Sequence, residues 1–180
     1  MHLRKPYECP LSHLAIPVPA NWKVAETTQL APNIHHTVIV PGDYVPGGKG
    51  EYIGFTVAKT PPQPMDLDDK TSARGAIMSY VLMLSQQYGA AMTLETIGDT
   101  SLLGDAVKAG YSRFSYSRDS YHHTEALWMF HVNGYFLQLR FRCPMNKRRE
   151  YTEMLTQLHR EVKEIAQPTS KEPDDGPQEK

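Results

Sequence analysis

"SYHHTEALWMFHVNGYFLQLRFR", residues 120–142, holds a two-residue turn signal between two alternating runs. Asn133-Gly134 suits a type I′ turn, whose central residues both need φ > 0, so the flanking runs are expected to fold back as an antiparallel hairpin. The turn also sets the register: Val132 opposite Tyr135, Phe130 opposite Leu137, Trp128 opposite Leu139 and Ala126 opposite Phe141. These residues share one wholly apolar face, expected to be core beneath the helices of the chain. The opposite face pairs His131 with Phe136, Met129 with Gln138, Leu127 with Arg140 and Glu125 with Arg142. It is mixed, and Glu125–Arg142 is expected there as an exposed ion pair worth a few tenths of a kcal/mol at most.

Outward from the hairpin, "HLAIPVP", "KVAETTQLA", "HHTVIVP", "EYIGFTVAKT", "MTLETIG" and "AVKAGYSRFSYSR" are short runs rich in β-branched or aromatic residues, and each reads as a strand. A helix is expected in "DLDDKTSARGAIMSYVLMLSQQYG". Asp66, Asp68 and Asp69 favour its electropositive start and Gly89 its end, while Ile77, Tyr80, Val81, Leu84 and Tyr88 form a stripe. Met78 and Leu82 widen that stripe, which predicts a deeply buried helix. Pro61, Pro62 and Pro64 make a stiff connection into it. Tyr151, Leu155, Leu158, Val162 and Ile165 recur at helical spacing and predict a terminal amphipathic helix. The expected fold is α+β, an antiparallel sheet with a central and a C-terminal helix packed against it. Residues 1–12 read as an N-terminal extension, 13–166 as a single domain, and the proline-rich 167–180 as a disordered tail.

The chain has 180 residues, with 19 Lys and Arg against 20 Asp and Glu. Such balance offers no electrostatic pull toward nucleic acid. No apolar run approaches the roughly 20 residues that span a bilayer, and no export signal is visible, so a cytoplasmic protein without stable membrane insertion is expected. It would be periplasmic if a signal had been removed. Cys9 and Cys143 would pair only in an oxidising compartment and are otherwise idle thiols.

No chemistry-bearing constellation emerges. His122 and His123 are adjacent, as are His35 and His36, so each pair points to opposite faces of a strand and cannot serve one metal ion. "PGDYVPGGKG" lacks the Lys-Ser/Thr ending of a phosphate-binding loop and reads as a hairpin loop. No nucleophile elbow surrounds a serine, and "KRRE" at 147–150 reads as a solvated helix start. No enzyme, cofactor or metal is expected. The candidate site is instead the mixed hairpin face, Leu127, Met129, His131, Phe136, Gln138 and Arg140, read as a protein-binding surface because apolar clusters on a polar surface mark interfaces. Another part of the chain, or a second copy in a homodimer, is the alternative cover for it.

The opening "LAIPVPANWKV", the early hairpin, the helix after a proline-rich crossing, and a meander ending "FHVNGYFLQLRFRCP" before a final helix together resemble the PsbP-like fold family over residues 12–166. That family takes in the photosystem II extrinsic subunit, Ran-binding nucleotide-release factors, and bacterial DcrB-like and effector-associated (Eag) proteins. The resemblance to the Eag-like branch implies a bacterial chaperone or adaptor that holds an apolar segment of a type VI secretion effector on its sheet face. The alternatives are an immunity protein binding a toxin through loops such as Gly42 to Gly50, a DcrB-like periplasmic protein, and a histidine-based metalloenzyme.

Overall fold

A computed structural model describes residues 6–45, 50–59, 69–118 and 121–164. Residues 46–49, the proline-rich connection with Asp66 and Asp68, and Ile165 with the tail beyond it lie outside the described residues. The turn forms as its residues dictate: Asn133 and Gly134 have φ of 51° and 77°. The strands on either side pair in the expected register, Val132 with Tyr135 through Glu125 with Arg142.

In chain order the elements are β1 (Tyr7–Glu8), β2 (Leu14–Ile16), β3 (Trp22–Ala31), β4 (Ile34–Pro41), β5 (Tyr52–Lys59), α1 (Asp69–Tyr88), β6 (Met92–Leu102), β7 (Val107–Arg118), β8 (Tyr121–Val132), β9 (Tyr135–Pro144), α2 (Arg148–Glu161) and β10 (Lys163–Glu164). Seven strands form one antiparallel sheet in the order β3-β4-β5-β9-β8-β7-β6, and β1, β2 and β10 form a small second sheet. The chain is therefore α+β, with a principal antiparallel sheet and two helices, as its sequence patterning requires.

The two helices lie on opposite faces of the sheet, which corrects the expectation that both cover the apolar hairpin face. On that face Ala126, Trp128, Phe130, Leu137, Leu139 and Phe141 join Trp22, Tyr151, Met154 and Val162 in the main core. Tyr151 packs against Phe141 with ring centroids 5.3 Å apart. On the reverse face Ile77 and Leu84 of α1 meet Leu127, Met129 and Phe114 in a second core. A strand can bury both faces when each has its own cover, and β8 does so: every residue from His123 to Phe130 is buried.

Further details add to or differ from the sequence reading. α2 ends at Glu161, because Val162 turns extended and Lys163–Glu164 pairs with β2; among its described side chains Tyr151 and Met154 are buried and Leu155 half-buried, while that of Leu158 lies outside the described ones. Within the N-terminal extension, Tyr7–Glu8 pairs with β2 and Cys9 is a core residue. α1 is not buried all round: Met78 and Leu82 are 52% and 59% exposed.

A β-bulge between Leu94 and Thr96 ties the layers together. Glu95 accepts a bidentate pair of hydrogen bonds from Arg148 at the start of α2, at 3.0 and 2.7 Å. Arg113 forms a further ion pair with the same carboxylate at 2.9 Å. The N-terminal end of α2 is thereby fastened to β6 through one carboxylate.

Candidate partner-binding site

Leu127 and Met129 are fully or nearly buried beneath α1, with Phe136 packed against the same cluster. The open apolar surface expected on the mixed hairpin face is thus closed by the chain's own helix, because α1 carries enough apolar side chains to cover it. His131 packs against Phe136 with ring centroids 4.8 Å apart and the rings tilted by 53°. Gln138 and Arg140 stand beyond this core and are half-buried.

The flank of α1 beside β6 is a different surface. Met78, Leu82 and Met83 are about half exposed, and Leu94 on β6 is 44% exposed beside them. A cleft of about 270 Å³ opens between helix and strand, lined by Met78, Val81, Leu82, Ser85, Met92, Leu94 and Ile97. Among the described residues its only polar side chain, Ser85, donates its hydroxyl to the Leu82 carbonyl at 2.8 Å. No lining side chain is therefore left to recognise a polar ligand, while the flexible thioethers of Met78 and Met92 can adapt to apolar shapes. The sequence held a signal for this site: apolar residues at 77, 78, 81, 82, 83 and 84 exceed what a single stripe needs.

The expected exposed Glu125–Arg142 pair is instead a buried polar cluster. Glu125 is 4% exposed; Tyr116 donates to its Oε1 at 2.7 Å, and Arg140 Nε lies 3.6 Å from Oε2. Burial raises this carboxyl to about 7, with the Tyr116 hydrogen bond and Arg142 opposing the shift. Arg142 lies over the Tyr52 ring at 4.4 Å and Arg140 over Tyr80 at 5.1 Å. β5 and β7 flank the hairpin and so position this group.

A second buried carboxylate sits on the far side. Glu51 accepts hydrogen bonds from Tyr151 at 2.7 Å and Lys147 at 2.9 Å. Burial would raise its pKa, yet these two donors outweigh it and hold the carboxyl below its usual range. Cys143 in the main core is pushed up to about 12, mainly by burial and then by Glu51, so its thiol is a poor nucleophile. Cys9 and Cys143 are both free and buried. The adjacent histidines diverge: His122 is exposed and bonded to Ser117 at 2.6 Å, whereas His123 is buried and stacked on Tyr116 at 5.6 Å. Among the described residues no three His, Cys, Asp or Glu are grouped to hold a metal ion, and no helix is long and apolar enough to cross a membrane.

No family model and no curated protein sequence matches the chain. Two solved structures share its architecture over nearly its whole length. LpqN, involved in cell envelope biogenesis of Mycobacterium tuberculosis, superposes with a TM-score of 0.58 at 14% identity, covering 92% of this chain and 93% of that one. CyanoP, the cyanobacterial PsbP from Synechocystis, gives 0.55 at 12% identity, covering 87% and 88%. The fold is PsbP-like. At such identities the likeness carries architecture alone, and function rests on the site.

Proposed function

We propose that this PsbP-like chain is a non-enzymatic protein-binding module that receives an apolar helical segment of another polypeptide in the cleft between α1 and β6. The observation that carries the reading is the cleft itself, a methionine- and leucine-lined groove whose single polar side chain among the described residues is already bonded within the helix. An amphipathic helix laying its apolar face into such a groove is a recurrent recognition mode. Within that reading, the chain acts as a bacterial chaperone or adaptor of the type VI effector-associated kind, shielding an apolar effector segment before export. The site moves from the Leu127–Met129 face, which α1 occupies, to the flank of the same helix that faces β6.

Co-expression with the apolar N-terminal segment encoded by the neighbouring gene tests this. Wild-type protein is expected to co-purify with the segment, whereas Leu82→Asp, folded by circular dichroism, is expected to lose it. Equal co-purification by both would remove the cleft from the binding site. Failure of the wild type with that segment, alongside capture of a folded toxin domain, would favour the immunity role.

A further inference from the structure

β9 extends past the edge of the second core, and there the sheet face under α1 changes character. Arg140 and Arg142 are two residues apart on the same face of β9, with Tyr52 and Gly54 opposite them on β5. Each guanidinium rests on an aromatic ring, Arg142 on Tyr52 and Arg140 on Tyr80. Ring stacking occupies the flat face of a guanidinium, and its in-plane N–H groups are the part that takes an oxyanion in a fork; on Arg140, Nη1 also donates to the Tyr52 hydroxyl at 3.4 Å and Nε faces Glu125.

Further features bear on the same group. Arg142 Nε is buried and has no hydrogen-bond partner among the described residues. Glu125 serves both arginines, so two cations share one carboxylate, and burial of that carboxylate leaves it only partly ionised near neutral pH. A Cβ on Gly54 would lie 3.1 Å from the Tyr52 ring and 3.3 Å from the His36 ring, so glycine lets these two rings close over β5 beside Arg140. His36 closes one side, bonded to the Thr56 hydroxyl at 2.8 Å.

We propose that this arginine pair is an oxyanion-binding site in which Arg140 and Arg142 hold a phosphate or carboxylate group. It is separate from the α1–β6 cleft and stands or falls independently of the protein-binding reading. Glu125 is then an internal competitor, and its charge weakens the site that it helps to orient.

The test is a titration of the full chain with sodium phosphate and, separately, with sodium acetate, ionic strength being held constant with sodium chloride. The arginine Nε–Hε resonances report on the site. Phosphate or acetate is expected to shift the Arg142 signal saturably. Arg140→Gln is expected to weaken binding by roughly tenfold or more, as loss of a charged hydrogen bond does. Glu125→Gln is expected to tighten it, an effect opposite in sign to that of a merely structural change. A response to phosphate alone supports the site and points to a phosphate-bearing ligand; a response to both supports it and points to carboxylates as well. Shifts no larger than those with chloride, equal affinity in Arg140→Gln, or weaker binding in Glu125→Gln would overturn it.

Discussion

The β8–β9 hairpin has two faces made by the same residues in the same register, and they have different fates. One carries Trp128, Phe130, Leu137, Leu139 and Phe141 into a continuous core closed by α2 and the small β1-β2-β10 sheet. The other is divided: Leu127 and Met129 lie beneath α1 in a second core, while Gln138, Arg140 and Arg142 lie beyond it. Strand alternation decides which side chains share a face. It does not decide what covers that face, which depends on a helix distant in sequence and on how far that helix reaches.

The strongest way to break this comparison is to remove matched side chains from both faces. Leu139→Ala and Leu127→Ala each take a fully buried leucine from a closed core, and each is expected to cost about 2–5 kcal/mol in urea unfolding. An open second face would make the Leu127 change nearly silent. Equal losses would establish that the hairpin is buried from both sides, whereas a small loss at Leu127 alone would place α1 away from the sheet in solution.

The buried carboxylate gives the next largest effect. Glu125 titrates near 7 in the folded protein, against 4.5 ordinarily, so the folded state binds a proton that the unfolded chain has released. Its stabilising contribution is complete below about pH 4.5 and is lost as pH rises through 7, amounting to about 3 kcal/mol. Glu51 has the opposite sign: its depressed pKa adds stability above the ordinary carboxylate range that disappears in acid. Comparing wild type with Glu125→Gln from pH 5 to 8 separates the two. The wild type should fall relative to the glutamine variant over this range, and parallel curves would place Glu125 in solvent, as the sequence alone expected.

Much of the fold could be read from local chemistry. Asn133-Gly134 set the register of eight strand positions on either side because a type I′ turn leaves one way to close, and short β-branched runs bounded by Pro and Gly located the other long strands. The expected α+β plan follows from these. The candidate site was less legible, for a physical reason: α1 is apolar on more than one side, so no periodicity tells which side meets the sheet. Glu125 was misplaced for a related reason, since alternation puts it on the mixed face without revealing that Tyr116 and two arginines enclose it. Strand β10 was hidden because Lys163–Glu164 has no strand signature and pairs only through the nearby β2.

The turn itself supplies a smaller test. Gly134 sits at φ 77°, so Gly134→Ala should destabilise by about 1 kcal/mol through backbone strain with no packing change. The register holds both faces to their assignments, and a markedly larger loss would mean that alanine shifts the pairing and turns the two faces over.

The smallest expected effect on stability belongs to Leu82, and it bears most directly on function. Leu82 and Leu84 are two residues apart on α1, 59% and 6% exposed respectively. Alanine is at least as good a helix former as leucine, so truncating a side chain already in water should leave stability within about 0.5 kcal/mol. Leu84→Ala, by contrast, should cost several times as much, because it opens the second core. A silent Leu82→Ala that nevertheless weakens capture of an apolar segment assigns that side chain to binding, since no folded-state role remains for it. If Leu82→Ala instead costs as much as Leu84→Ala and the loss diminishes with dilution, a second copy of the chain covers the cleft, and the groove is a dimer interface.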